Sequence, residues 1–250
     1  MRIVSLCPSL TELVYDLKRG DELVGITEYC IHPAERVKTV EKVGGTKNPN
    51  VERIAALAPD IVLFNEEENR REDEAALSEA GVHCLTTFPR DCEGTAEMVE
   101  IIGASLERSE EAARIAADIR ARTKRVVAAA KDRAPVTWAY LIWRKPWMSV
   151  NADTFTHALL CQAGGLNVFA DTEARFPTVT TEELASHDPD RIFLCTEPFP
   201  FEEKHITELA EATGLPRERF QVADGEYLSW HGSRTPDGID YAERLIAGDN

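Results

Sequence analysis

Short runs of β-branched and apolar residues alternate with stretches of helical period almost throughout the 250-residue chain. That alternation predicts an α/β fold on parallel strands. In the first half, strands are expected at 2–6, 23–27, 60–64 and 83–88, with helical patterns at 9–18, 50–58, 67–80 and 93–106. The second half repeats the plan, with strands at 136–142, 190–195 and 219–223 and helices near 154–163, 180–186, 202–213 and 235–247. The repetition reaches individual residues. "ERIAALAPDIVLF" starts at Glu52 and "EELASHDPDRIFL" at Glu182, so one offset pairs Glu52 with Glu182, Pro59 with Pro189 and Asp60 with Asp190. A match in register at the same place in each half implies an internal duplication and two related lobes.

Between the halves runs "SEEAARIAADIRARTKRVVAAAKDRAP", with no Gly or Pro before Pro135 stops it and Ser109 available as a cap. It predicts one helix over about 108–132. The expected organisation is therefore two Rossmann-like lobes with parallel sheets, 1–106 and 134–250, joined by a long backbone helix at 107–133.

Composition narrows the function. Hydrophobic residues make up 43% of the chain, enough for a sizeable core, and no apolar run reaches the ~18 residues that span a bilayer. A formal net charge of −16 disfavours nucleic-acid partners. The six cysteines, at 7, 30, 84, 92, 161 and 195, include no C-x-x-C pair, so six free thiols are expected. Met1 is followed at once by a strand pattern without a secretory leader, and with the reduced thiols this leads us to expect a cytoplasmic protein.

In "SLCPSLTEL", Ser9 and Glu12 have capping-box spacing, which would start a helix at the carboxyl end of the first strand. Ligands of open α/β sheets bind at that edge. The segments "RIVSLCPSLTELVYDL", "GDELVGITEYCIHP", "KVGG", "NPNVERIAALAPDIVLF" and "AGGLNVFAD", together with the strut, resemble the class III solute-binding proteins of cobalamin and iron-chelate ABC importers. The resemblance covers essentially the whole chain. It implies a non-catalytic receptor that holds a corrinoid, haem-like or iron-chelate ligand (cobalamin, haem or a ferric chelate) in a cleft between the lobes, with no built-in cofactor. An ABC permease partner, a monomeric state and a periplasmic or lipid-anchored location are implied with it.

Residue by residue, the resemblance assigns ligand contact to Tyr29, to Phe176 in the place of a stacking tryptophan, to Glu226, and to Trp147 at an aromatic position. Asn65 stands where the family places its other stacking tryptophan, and there the likeness to cobalamin receptors breaks. Glu182 matches one acid of importer docking; the other aligns with Arg71, with Glu72 one place along.

The residues themselves add further candidates. "YLIWRKPWMSV" sets Trp143, Arg144, Lys145 and Trp147 just after a strand, where rings can stack on a planar ligand and cations can pair with its carboxylates. "SWHGSR" offers Trp230, His231 and Arg234. "FNEEENRRE" offers Glu67, duplicated as Glu197, and Pro8, Ser9 and Cys30 lie at the first-lobe strand ends. Tyr29, Trp143, Trp147, Phe176 and Trp230 are expected to line one surface, with Arg144 and Arg234 at its rim. Cys7, Cys30 and His32 fall short of a four-ligand metal site, so none is expected. No triad, phosphate loop or H-E-x-x-H motif is present. Two other readings stay open: a corrinoid- or chelate-handling cytoplasmic enzyme or carrier using Cys7 or Cys30, and an interaction module that keeps only the fold.

Overall fold

The computed structural model describes residues 1–248. Two compact units account for the chain. The first comprises 1–89, 93–118 and 231–234; the second comprises 90–92, 119–230 and 235 onward.

In the first unit, β1 (Ile3–Ser5), β2 (Leu23–Ile26), β3 (Ile61–Asn65) and β4 (Cys84–Thr87) form a parallel sheet in the order β2-β1-β3-β4. Every residue of β3 is buried, as expected of a central parallel strand covered on both faces. Helices α1 (Pro8–Asp16), α2 (Val51–Ala56), α3 (Arg71–Glu79) and α4 (Cys92–Ser105) carry the chain between and beyond the strands. Val4, Leu6, Val62 and Phe64 pack with Val43, Ile54 and Leu77 into one core cluster.

The second unit repeats the order. β5 (Val136–Leu141), β6 (Gly165–Asn167), β7 (Arg191–Cys195) and β8 (Phe220–Ala223) pair in parallel as β6-β5-β7-β8. Its helices are α6 (Phe155–Gln162), α7 (Thr181–His187), α8 (Glu203–Thr213), α9 (Gly225–Ser229) and α10 (Thr235–Ala247). Trp138, Tyr140 and Phe193 are among its largest fully buried side chains.

The expected duplication has a physical basis in the two Pro-Asp turns. Ala58 and Asp188, at matching positions, both adopt positive φ, +45° and +48°. Each following aspartate ties its turn to the start of the central strand. The Arg2 backbone N–H donates to Asp60 Oδ2 at 2.6 Å, and the Thr137 N–H and hydroxyl donate to Asp190 Oδ2 at 2.9 and 2.8 Å.

Helix α5 (Ser109–Ala130) belongs to the first unit up to Asp118 and to the second from Ile119. Its 22 residues are slightly fewer than the expected 108–132, because 131–133 leave the helix as a turn before Pro135. Arg122, Arg125 and Arg133 pair with Asp237, Asp240 and Glu243 of α10.

Several expectations are corrected. The unit boundaries are not simple sequence cuts: 90–92 belongs to the second unit and 231–234 to the first. Strand β6 was not foreseen, being three residues long with a glycine and an exposed Leu166, which leaves no periodicity to read. The five-residue α9 was missed for the same reason of length. The Ser9–Glu12 capping box does not form. Pro8 lacks an N–H and suits the first helical position, so α1 starts one residue early with Cys7 as its cap. Glu12 instead accepts two hydrogen bonds from the Arg234 guanidinium, at 2.9 and 2.6 Å.

Candidate functional site

Within the second unit, the loops after β5 and β7 assemble an aromatic surface at the carboxyl edge of the sheet. The chain leaving β5 folds back tightly, with the Ile142 N–H donating to the Met148 carbonyl at 2.9 Å and the Met148 N–H to the Trp143 carbonyl at 3.1 Å. Trp143, 41% exposed, meets Phe199 edge-on at 5.7 Å. Trp147 stacks on Phe201, at 6.0 Å with 14° between the rings. Phe199 and Phe201 lie 4.7 Å apart, and both abut the His205 ring. The Glu202 N–H donates to His205 Nδ1 at 2.9 Å, which puts the imidazole proton on Nε2. Phe176, 36% exposed, lies on a segment that hydrogen-bonds the Trp147 loop through Val179 to Trp147 and Ser149 to Pro177.

Arg144 was expected at a ligand-facing rim. Its Nε and Nη2 instead donate to Glu208 on α8 at 3.0 and 2.8 Å, and its guanidinium carbon sits 5.8 Å from the Trp147 ring centre. Hydrogen bonding from Arg144 holds the Glu208 carboxyl below the usual carboxylate range, so the pair is ionised at neutral pH. Trp230 departs further from expectation. It is only 5% exposed, and its indole N–H donates to Glu197 Oε1 at 2.8 Å. Trp230 therefore lines no open surface, and Glu197 serves as its anchor. Gly225 lets the β8–α9 turn come this close, since a Cβ there would lie 2.9 Å from the Glu197 backbone. Glu226 is half-buried on α9.

In the first unit the carboxyl edge carries one prominent ring. Tyr29 is 61% exposed at the tip of a turn closed by the Cys30 N–H on the Thr27 carbonyl. Lys42 Nζ braces the turn from below, donating to the carbonyls of Thr27 and Cys30. Cys30 is buried, its Sγ 3.0 Å from Thr11 Oγ1 and 3.1 Å from Thr27 Oγ1, so it supports the Tyr29 turn and does not face outward. Pro8 is half-buried and Ser9 buried, its hydroxyl 3.3 Å from Cys7 Sγ.

Asn65 is fully buried, which corrects its assignment as a contact residue. Its Oδ1 accepts the Glu67 and Glu68 N–H groups at 3.0 and 3.2 Å, and its Nδ2 donates to the Thr87 carbonyl and lies 3.0 Å from His231 Nε2. Asn69 accepts the Asn65 N–H and donates to the carbonyls of Leu6 and Thr46. Glu67 is half-buried above this junction, its carbonyl accepting from Lys47 Nζ at 2.5 Å. Arg234 is held by Glu12 and offers no open fork at a rim. Beside the β3–α3 turn lies a cavity of about 510 Å³, lined by Asn65, Glu66, Arg70, Arg71 and Glu74 but by none of the exposed rings.

Glu72 and Glu182 are exposed in the first turns of α3 and α7. The duplication does not relate them, because Glu182 matches Glu52 on α2. Burial pushes the Cys7 thiol up to about 12 and raises Cys30 as well, the opposite of the lowered pKa that activates a nucleophilic thiol. Among the described residues, no three His, Cys, Asp or Glu side chains are grouped to hold a metal, and no helix is long and apolar enough to cross a membrane.

The residues missed from sequence are Phe199, Phe201, His205 and Glu208. A signal existed: in "EPFPFEEKHITEL" the two rings are spaced i, i+2 after β7, and His205 and Glu208 share a helix face at i, i+3.

Comparison with known proteins places these features. The sequence profile described as "Periplasmic binding protein" matches residues 3–214. The "Vitamin B12-binding protein" of Vibrio cholerae serotype O1 is 24% identical over 241 residues, 96% of this chain and 86% of that protein. The crystal structure of periplasmic Vitamin B12 binding protein BtuF of Vibrio cholerae superposes with a TM-score of 0.84 at 22% identity, over 98% of this chain and 96% of that one. A periplasmic heme binding protein from Pseudomonas aeruginosa gives 0.85 at 24% identity, over 99% and 93%. At these identities the structural likenesses establish the fold.

Proposed function

Since the chain belongs to the periplasmic binding protein family, we propose that it is a non-catalytic receptor for a corrinoid, haem-like or iron-chelate ligand, working with an ABC-type importer. The observation that carries this reading is the aromatic surface on the second unit, where Trp143 and Phe176 stand exposed beside the stacked Trp147. Exposed rings at the carboxyl edge of a parallel sheet suit stacking on a flat ligand. Tyr29 is the matching ring of the first unit. Relatives that bind vitamin B12 and heme support the ligand class. The exposed carboxylates of Glu72 and Glu182 suit a basic permease surface. The periplasmic relatives favour action outside the cytoplasmic membrane and give the expectation of a cytoplasmic protein no support. Cell fractionation decides the compartment.

Binding is tested by titrating cyanocobalamin, haemin and ferric chelates into the wild type and the Trp143→Ala and Trp147→Ala variants, with melting followed in parallel. An aromatic contact is worth ~0.5–1.5 kcal/mol beyond its buried area, so each variant should bind several-fold more weakly and still fold. A bound ligand that neither variant weakens would place the site elsewhere.

A further inference from the structure

The two arginines that sequence reasoning set at the rim of the aromatic surface, Arg144 and Arg234, are both occupied. Arg144 gives two donors to Glu208 and lies against the Trp147 ring. Arg234 gives two donors to Glu12, and both side chains are mostly buried. Each cation is thus closed by a bidentate carboxylate of its own unit, the geometry in which a guanidinium is best satisfied. Lys145, next to Arg144, lies within Coulombic reach of the same Glu208. Among the other groups on the second unit's carboxyl-edge loops are the acids Glu197, Glu202 and Glu226, and the further cations face carboxylates of their own: Arg175, over the Phe176 ring at 5.7 Å, lies 3.9 Å from Asp153, and Lys204 pairs with Glu202 at 2.8 Å. A planar ligand bringing carboxylates to the Trp147 surface would have to compete with Glu208 for Arg144 and Lys145, or leave its own carboxylates without a cation partner beside acids. Either is costly, whereas a ligand bearing amides or a positive charge meets neither obstacle.

We propose that the ligand is an uncharged or cationic planar chelate without free carboxylates, and that Glu208 sets this preference by neutralising Arg144. The inference rests on the receptor reading and narrows it. Glu208 acts through Arg144 on the charge of the aromatic surface and does not touch the ligand.

The test pairs one ring in two charge states. Haemin, which carries two propionates, and haemin dimethyl ester, which carries none, are titrated into the wild type, with cyanocobalamin as an amide-bearing third probe. The wild type should bind the ester about tenfold more tightly than the acid, the size of one charge-assisted hydrogen bond left unmade. Glu208→Gln keeps the side chain's shape and frees Arg144. It should tighten haemin about tenfold and leave the ester unchanged, so that the preference disappears. Equal or tighter binding of haemin by the wild type overturns the inference. So does a Glu208→Gln variant that melts like the wild type yet shifts both forms alike or neither. The wild-type comparison stands even if the variant does not fold. Binding of haemin and ester without discrimination defeats this inference alone; binding of none of the three probes defeats the receptor reading and the inference with it.

Discussion

Asn65 occupies a place that the family resemblance gives to an aromatic ring, and the fold uses it as a junction of backbone hydrogen bonds. Its side chain gathers two loop N–H groups, the Thr87 carbonyl and His231, while Asn69 beneath it satisfies Leu6 and Thr46. Removing such a group leaves buried partners unpaired at ~1–3 kcal/mol each. Asn65→Ala should therefore lower stability by about 2 kcal/mol in urea denaturation. Asn65→Trp should cost more, because a large ring has no space in a fully buried site. A tryptophan variant as stable as the wild type and tighter in ligand binding would refute this account. The same lesson applies to Trp230 and Glu197, whose mutual hydrogen bond removes both from the list of open contacts.

At the scale of elements, the two Pro-Asp turns do equal work in the two units. Asp190 is held below its ordinary pKa, first by the Thr137 hydroxyl and then by the Thr137 backbone N–H. The sign follows from a folded-state pKa lower than the unfolded one. The stabilisation is complete above the unfolded carboxylate pKa and is lost as pH falls through the folded value. Asp190→Ala should cost about 1 kcal/mol at pH 7, a modest figure because the turn is solvent-exposed. The gap in melting temperature between variant and wild type should close toward pH 3. A gap that stays constant with pH would show that the carboxylate is not the active group. Helices α5 and α10 show a different economy, in which a ladder of arginines and acids joins two amphipathic surfaces.

For the whole molecule, the six cysteines are all free, as their spacing predicted. Burial raises Cys7 and Cys195 to about 12 and Cys92 and Cys161 to about 11. Thiol counting under denaturing conditions should give six before and after reduction, and no native thiol should titrate below ~8. A rise of two on reduction, or one fast-alkylating thiol at neutral pH, would contradict this. Four of the thiols, Cys7, Cys30, Cys92 and Cys195, are buried, and a buried thiol resists oxidation wherever the protein works.

The two sheets, the duplication and the strut were legible in the sequence, because each rests on local rules. Apolar runs mark buried parallel strands, a Pro-Asp pair marks a turn, and an uninterrupted Ala-, Arg- and Glu-rich segment marks a helix. Tyr29, Trp143 and Phe176 were singled out as rings on loops that follow strands, and all three stand exposed. What sequence could not decide is which polar partner a side chain meets. Glu208 lies 64 residues from Arg144, and Glu12 lies 222 from Arg234. No spacing rule links such positions, so whether an arginine is open to a ligand or already paired is set only when the chain folds back on itself.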